Sequence, residues 1–208
     1  MSQNWIYNKK KTQILTKIGF LFLEKIGCHE ISTEVPVHSY YFRDFTNPIK
    51  NDAHYHIDIL GIEWEYLSPN KETHQTNKRE ILRGIEVKIS KSDFDNGFIH
   101  NSCNYNYLLT PKGLIEQDQV HKSVGIIEVD LDNFKIIRDK PPWYGYHMVG
   151  VIVTRSPQRI KINEDELSEM HLRSVKSEML ETLTNQTKRW ILDEIGWEYL
   201  PKRSVSQV

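Results

Sequence analysis

The chain has 208 residues, a formal net charge of −1, 11% aromatic residues and two cysteines, which suits one ordered domain with a full core, or one domain with an extension. Near-neutrality argues mildly against a generally basic nucleic-acid binder, since a metal-dependent site carries its attraction for phosphate locally. Cys28 and Cys103 are too few for a disulfide framework or a structural zinc set, and the apolar run at 18–23 is too short for a membrane span or a signal peptide, so a reducing cytoplasm is the expected setting.

Residues 9–26 are predicted as a helix, because Leu15, Ile18, Phe22 and Ile26 recur at spacings of three and four and Gly27 stands where a C-terminal cap belongs. Ile31, Thr33, Val35 and Val37 then alternate with Glu30, Ser32 and Glu34, predicting a strand with Pro36 at its end or at a sheet edge. Residues 39–53 read as a loop rich in aromatics around Arg43; core packing is the commoner use of such rings, stacking on bases the other. A strand over 55–66 carries Asp58. A polar turn over 69–79 leads into a strand over 83–90 that carries Glu86 and Lys88. Lys71, Lys78, Arg79 and Arg83 gather positive charge nearby, which suits a phosphate backbone and a solvated hairpin tip equally.

Ser92 or Asp93 is expected to cap a brief helix ended by residues 95–97. A strand over 104–109 follows, and Thr110 and Pro111 read as the N-cap and first residue of a helix over 111–119. Val124 to Val129 is the next strand, and a turn over 130–133 leads into residues 134–137. Breaks at 141–145 and at Pro157 divide the chain into a domain over 1–160 and a helical extension over 161–208. Asn163 and Glu166 form a capping box for a helix over 163–184, whose stripe Leu172, Val175 and Met179 must bury against its own domain or against a second subunit in a homodimer. Trp190, Ile191, Trp197 and Tyr199 close the chain with an aromatic cluster that is unusual for a free tail.

Two of these strands hold the residues with chemistry. Glu86 and Lys88 are two apart and so share a strand face, and Asp58 joins them if the two strands pair as a hairpin. A carboxylate pair on rigid backbone suits magnesium, which takes oxygen ligands and is held by one or two carboxylates plus substrate phosphate. A lysine beside it can orient a water and offset phosphate charge, and hydrolysis of a phosphodiester needs all three groups. The plain alternative is a polar strand face with a cross-strand ion pair. His54 and His56, two apart on one strand, read as polar surface because no third ligand has suitable spacing. Tyr105 and Tyr107 read as core packing, Lys112 as surface, and Cys103 has no assignable base.

An acid ending one strand, followed by Glu-x-Lys on the next, resembles the PD-(D/E)XK, or restriction-endonuclease-like, nuclease superfamily. Asp58, Glu86 and Lys88 match its motif. The continuation S-K-S-D-F at 90–94, and then N-Y-L-L-T-P-K-G-L-I at 106–115, is similar to a branch found in phage and bacterial DNA-repair proteins. The resemblance spans residues 28–130 and departs at Ile57, where the superfamily's name has proline. It implies an α/β fold with a central mixed β-sheet flanked by helices, and a Mg2+- or Mn2+-dependent nuclease acting on DNA. In that reading Asp58 and Glu86 bind the metal and Lys88 positions or activates the water. A further glutamate comes in this superfamily from the first helix or first strand; Glu34 is the candidate. Glu24 is second, since the helical wheel turns it toward solvent. Lys78, Arg79 and Arg83 are the candidate nucleic-acid contacts. The rival readings are a non-catalytic nucleic-acid-binding protein on the same fold and a structural partner protein working through its C-terminal helix.

Overall fold

Residues 3–37, 55–67, 78–98, 100–138, 145–162, 187–188, 191 and 198–199 are described in the computed structural model. Helix α1 (Gln3–Lys25) precedes three consecutive antiparallel neighbours, β1 (Glu30–Val37), β2 (Tyr55–Tyr66) and β3 (Lys78–Val87). After the short helix α2 (Lys91–Asp95), β4 (Tyr105–Pro111) and β5 (Gly125–Val129) add in parallel. Strands β6 (Lys135–Arg138) and β7 (Tyr146–Val149) form a hairpin, and β8 (Val151–Arg155) returns to pair antiparallel with β5. The result is a mixed six-stranded sheet in the order β1-β2-β3-β4-β5-β8, and a second sheet in which β6 lies between β7 and β9 (Glu198–Tyr199).

The central strands are buried on both faces, so their sequences read as nearly continuous apolar runs. Leu108 and Ile126 pack with Ile115, Val120 and Val124 on one side, while their neighbours Leu109 and Ile127 join the α1 core on the other. Leu15, Ile18, Leu21 and Leu23 of α1 are fully buried there, each such side chain contributing about 1.5–3 kcal/mol. The cap at Gly27 is as expected: φ is 106°, Gly27 N–H donates to Glu24 O at 3.1 Å and Cys28 N–H to Leu23 O at 3.0 Å, the paired bonds of a Schellman ending.

Glu24 is only partly turned to solvent, its side chain 26% exposed. Ile136, Tyr146 and Ile191 belong to the same core as α1, so the helix is covered on its outer side as well. Glu24 accepts a hydrogen bond from the Tyr146 hydroxyl at 2.6 Å and pairs with Lys188. The helical wheel fails because it assumes that one face of the helix is left to water.

Three further expectations change. Thr110 and Pro111 do not open a helix; they end β4, paired with Glu128 and Val129 of β5, and only a 3-10 turn over Gln117–Gln119 follows. Parallel pairing outweighs the local cap signal, because Thr110 is completely buried in the sheet. Strands β7 and β8 were not expected; they are separated only by Gly150, whose φ of 82° makes the corner between the two sheets. Ser90, rather than Ser92 or Asp93, caps α2, accepting from Asp93 N–H.

Residues 39–53, residues 69–77 of the polar turn and the helix over 163–184 lie outside the described residues, while Lys78 and Arg79, expected in that turn, already belong to β3 and pair with Tyr66 and Glu65. The described residues beyond 160 meet the first 160 through Ile191, Lys188 and β9. Among the described residues no helix is long and apolar enough to cross a membrane.

At Gly125 a Cβ would sit 2.8 Å from the Pro157 ring, 2.8 Å from the Tyr107 ring and 3.0 Å from Pro157 N. Gly125→Ala is therefore expected to destabilise the protein by about 1–3 kcal/mol through overpacking. A urea midpoint lowered at unchanged slope is the check; a midpoint equal to wild type would show that the Pro157 segment yields freely.

Candidate active site

Strand register brings the predicted acids into one row. Thr33 pairs with Ile59 and Val35 with Ile57, which sets Glu34 across from Asp58. Ile59 pairs with Ile85, so the next positions across β2 and β3 are Asp58 and Glu86.

The row is also where the outer strands stop being regular. Ile31 and Ile59 pack in the α1 core, yet Val35 and Ile57 pack in a second cluster with Leu60, Ile62 and Leu82. Strict alternation would keep Ile31 with Val35, and Ile57 with Ile59. Both strands therefore turn over at Glu34 and Asp58, and Glu34 has a φ of 55°, a left-handed conformation costly for a residue with a Cβ. The expectation that Ile31, Thr33 and Val35 share one face fails at this point, and Thr33 is exposed.

The irregularity frees Asp58 from ordinary strand packing. Its Oδ2 accepts from Val87 N–H at 2.6 Å, so a side chain replaces the backbone partner just beyond the last β2–β3 pair. Lys88 stays in register one residue past the end of β3, because its N–H donates to Leu109 O at 3.0 Å. This keeps Lys88 on the Glu86 side, with Nζ 3.5 Å from Glu86 Oε1. Asp58, Glu86 and Lys88 all line a cleft of about 440 Å3, whose walls also include Thr12 of α1 and Asp93 of α2.

The electrostatics are those of crowded, dehydrated acids. Burial, and then the charge of Asp58, push the Glu86 carboxyl up from the ordinary 4.5 to about 8, against the pull of Lys88. Burial likewise raises Asp58, the Val87 N–H draws it back, and the Glu34 charge adds to the rise. Glu86 Oε2 is buried and accepts no hydrogen bond among the described residues, an expensive state for a carboxylate unless a proton or a cation meets it.

Sequence reasoning names Asp58, Glu86 and Lys88, which line the cleft, and Glu34, which stands outside its lining across from Asp58 in the strand register, but it misses Asp93. Asp93 Oδ1 lies 3.7 Å from Lys88 Nζ. The S-K-S-D-F stretch holds the signal, but its reading as a cap and as part of the family resemblance gives Asp93 no place beside Lys88.

The basic candidates are not brought to the site. Arg83 Nε donates to Glu63 at 2.6 Å and its Nη1 to the Tyr107 hydroxyl at 2.9 Å, with the guanidinium 4.4 Å from the Tyr105 ring centre. Arg79 pairs with Glu65, which also takes two bonds from Arg159, and Lys78 Nζ lies 5.1 Å from the centre of the Tyr66 ring. The contacts of Arg79 and Lys78 follow from the β2–β3 register, in which Arg79 faces Glu65 and Lys78 faces Tyr66; Glu65 and Glu63 of β2 thus answer Arg79 and Arg83. Lys112 pairs with Asp130 at 3.7 Å, and His56 is exposed.

Among the described residues no three His, Cys, Asp or Glu side chains form a group able to hold a metal ion by themselves. Two carboxylates with one unsatisfied buried oxygen still fit magnesium, which completes its shell with water and substrate phosphate rather than requiring an all-protein cage.

No family model matches the chain, and no curated protein matches it. A solved structure of a protein of unknown function from Silicibacter pomeroyi is similar at 13% identity over 63% of this chain and 77% of that chain, with a TM-score of 0.30.

Proposed function

We propose that the chain is a restriction-endonuclease-like, divalent-cation-dependent nuclease that hydrolyses phosphodiester bonds in DNA. The observation that carries this reading is the row Glu34, Asp58 and Glu86, with Lys88 against Glu86 and the buried Glu86 Oε2 lacking a hydrogen-bond donor among the described residues. Asp58 and Glu86 would hold Mg2+ or Mn2+, and Glu34 would add charge from the third strand. When bound, the ion supplies a Lewis acid for a phosphate oxygen and lowers the pKa of a coordinated water. Lys88, its side chain 10% exposed, holds an ammonium at the cleft wall, where it orients the attacking water and offsets phosphate charge. Burial strengthens each of these interactions, because the low-dielectric surroundings screen them less than water does.

The test is cleavage of plasmid, linear duplex and single-stranded DNA with magnesium, manganese and calcium in turn. Magnesium and manganese are expected to support cleavage, and calcium binding alone, since its looser shell positions water poorly. Lys88→Ala is expected to lose at least about 10-fold in rate, about 1.4 kcal/mol of barrier, while metal affinity stays within about twofold. A wild type that cuts none of the substrates with any metal, yet binds DNA as well in chelator, would replace this reading with a non-catalytic binding module.

A further inference from the structure

The S-K-S-D-F stretch is not used up by the motif that precedes it. Its serine and aspartate tie the end of β3 to the first turn of α2 through two reciprocal bonds. Asp93 N–H donates to Ser90 Oγ at 3.2 Å, and Asp93 Oδ2 accepts from Ile89 N–H at 3.1 Å. One carboxylate oxygen is thereby anchored to the backbone immediately after Lys88, while the other, Oδ1, lies 3.7 Å from Lys88 Nζ. Phe94, next in sequence, packs against the cluster of Leu108, Ile115 and Ile126 and seats α2 on the sheet. Lys88 thus lies between two carboxylates, Glu86 at 3.5 Å and Asp93 at 3.7 Å, with side-chain exposures of 12% and 37%.

The two partners are not equivalent if Glu86 binds a cation. An ammonium whose one anionic neighbour has been engaged by a dication is repelled by that dication and loses its anchor. Asp93 is held by backbone and by α2, so its position does not depend on Glu86. We propose that Asp93 is a positioning residue for Lys88, keeping the ammonium at the cleft wall when Glu86 is engaged by a divalent cation. This inference rests on the nuclease reading above and adds a residue to it.

Asp93→Asn is the informative change, because the amide oxygen can still accept from Ile89 N–H while the charge facing Lys88 is gone. Asp93→Asn is expected to lower kcat about 10-fold, with KM for DNA and the half-saturating Mg2+ concentration within about twofold of wild type. Calorimetric Mn2+ binding, read without substrate, is expected to be unchanged in Asp93→Asn and lost in Asp58→Asn. The double variant Lys88→Ala/Asp93→Asn should fall no further than Lys88→Ala, the signature of two residues acting as one unit, and Asp93→Glu should recover part of kcat by restoring the charge. Loss of Mn2+ binding in Asp93→Asn would make Asp93 a ligand and overturn the proposal. So would a further 10-fold fall in the double variant, or wild-type kcat in Asp93→Asn while wild type cleaves normally. A wild type inactive with every metal removes the nuclease reading itself, and this inference with it.

Discussion

Asp58→Asn and Glu86→Gln are each expected to lower magnesium-dependent cleavage by at least about 100-fold, roughly 2.7 kcal/mol of barrier. Each change removes one anionic ligand and keeps the side-chain shape. Asn at 58 retains an oxygen that can accept from Val87 N–H, the bond that closes the gap beyond the last β2–β3 pair, so the fold should survive. Gln at 86 retains an oxygen for Lys88. The loss should therefore be in the chemical step and in metal affinity, with circular dichroism unchanged. DNA binding in calcium should be equal or tighter, since removing a carboxylate reduces repulsion from phosphate. Single-turnover rates with saturating Mg2+ are the measurement. A wild-type rate in Asp58→Asn would place the activity at another site or in a contaminant.

The second large effect is on stability. Glu86 titrates near 8 when folded, against the ordinary 4.5, so the folded state holds this proton more tightly than the unfolded state does. The sign follows from linkage: the favourable contribution is fully present below the unfolded value and is lost as pH rises through the folded one. Without divalent cation, wild type should lose stability relative to Glu86→Gln between about pH 5 and pH 8.5, by on the order of 3 kcal/mol, at about 1.4 kcal/mol per pKa unit with allowance for coupling to Asp58. Magnesium at 100 times its Kd should restore about 2.7 kcal/mol to wild type at the upper pH and much less to Glu86→Gln, because the ion binds only the folded, ionised pair. Urea titrations in chelator and in magnesium at both pH values decide it. An identical pH dependence in wild type and Glu86→Gln would mean that Glu86 is not the strained acid.

Much of the site is visible in residue order because its signals are local. Glu86 and Lys88 share a side because the strand period is two, and Lys88 keeps that period through its bond to Leu109. Strand β2 is legible in the β-formers Tyr55, Ile57, Ile59, Ile62, Trp64 and Tyr66, which recur through the segment despite Asp58 and Gly61. The cap at Gly27 is legible because only glycine takes a φ of 106° without strain. The position of Glu34 across from Asp58 is not legible in the sequence, since alternation assumes extended backbone and Glu34, at a φ of 55°, does not have it.

What composition and periodicity determined by themselves is the set of chemical groups and the strands that carry them: two acids, a lysine two positions after the second of them, and alternating segments that must pair. Tertiary structure decided which bonds those groups make. The turnover of β1 and β2 at Glu34 and Asp58, the Val87 N–H on Asp58 and the Asp93 carboxylate on Lys88 all depend on where strands end relative to one another, and no single segment encodes that. The same holds for Arg79 and Arg83, whose charge looks available in the sequence and is matched by Glu65 and Glu63 across the ladder. It holds also for Glu24, partly covered by Tyr146 from 122 positions away. Local propensity sets what a segment can form; which face is buried, and which charge is answered, is settled by contacts between residues distant in the chain.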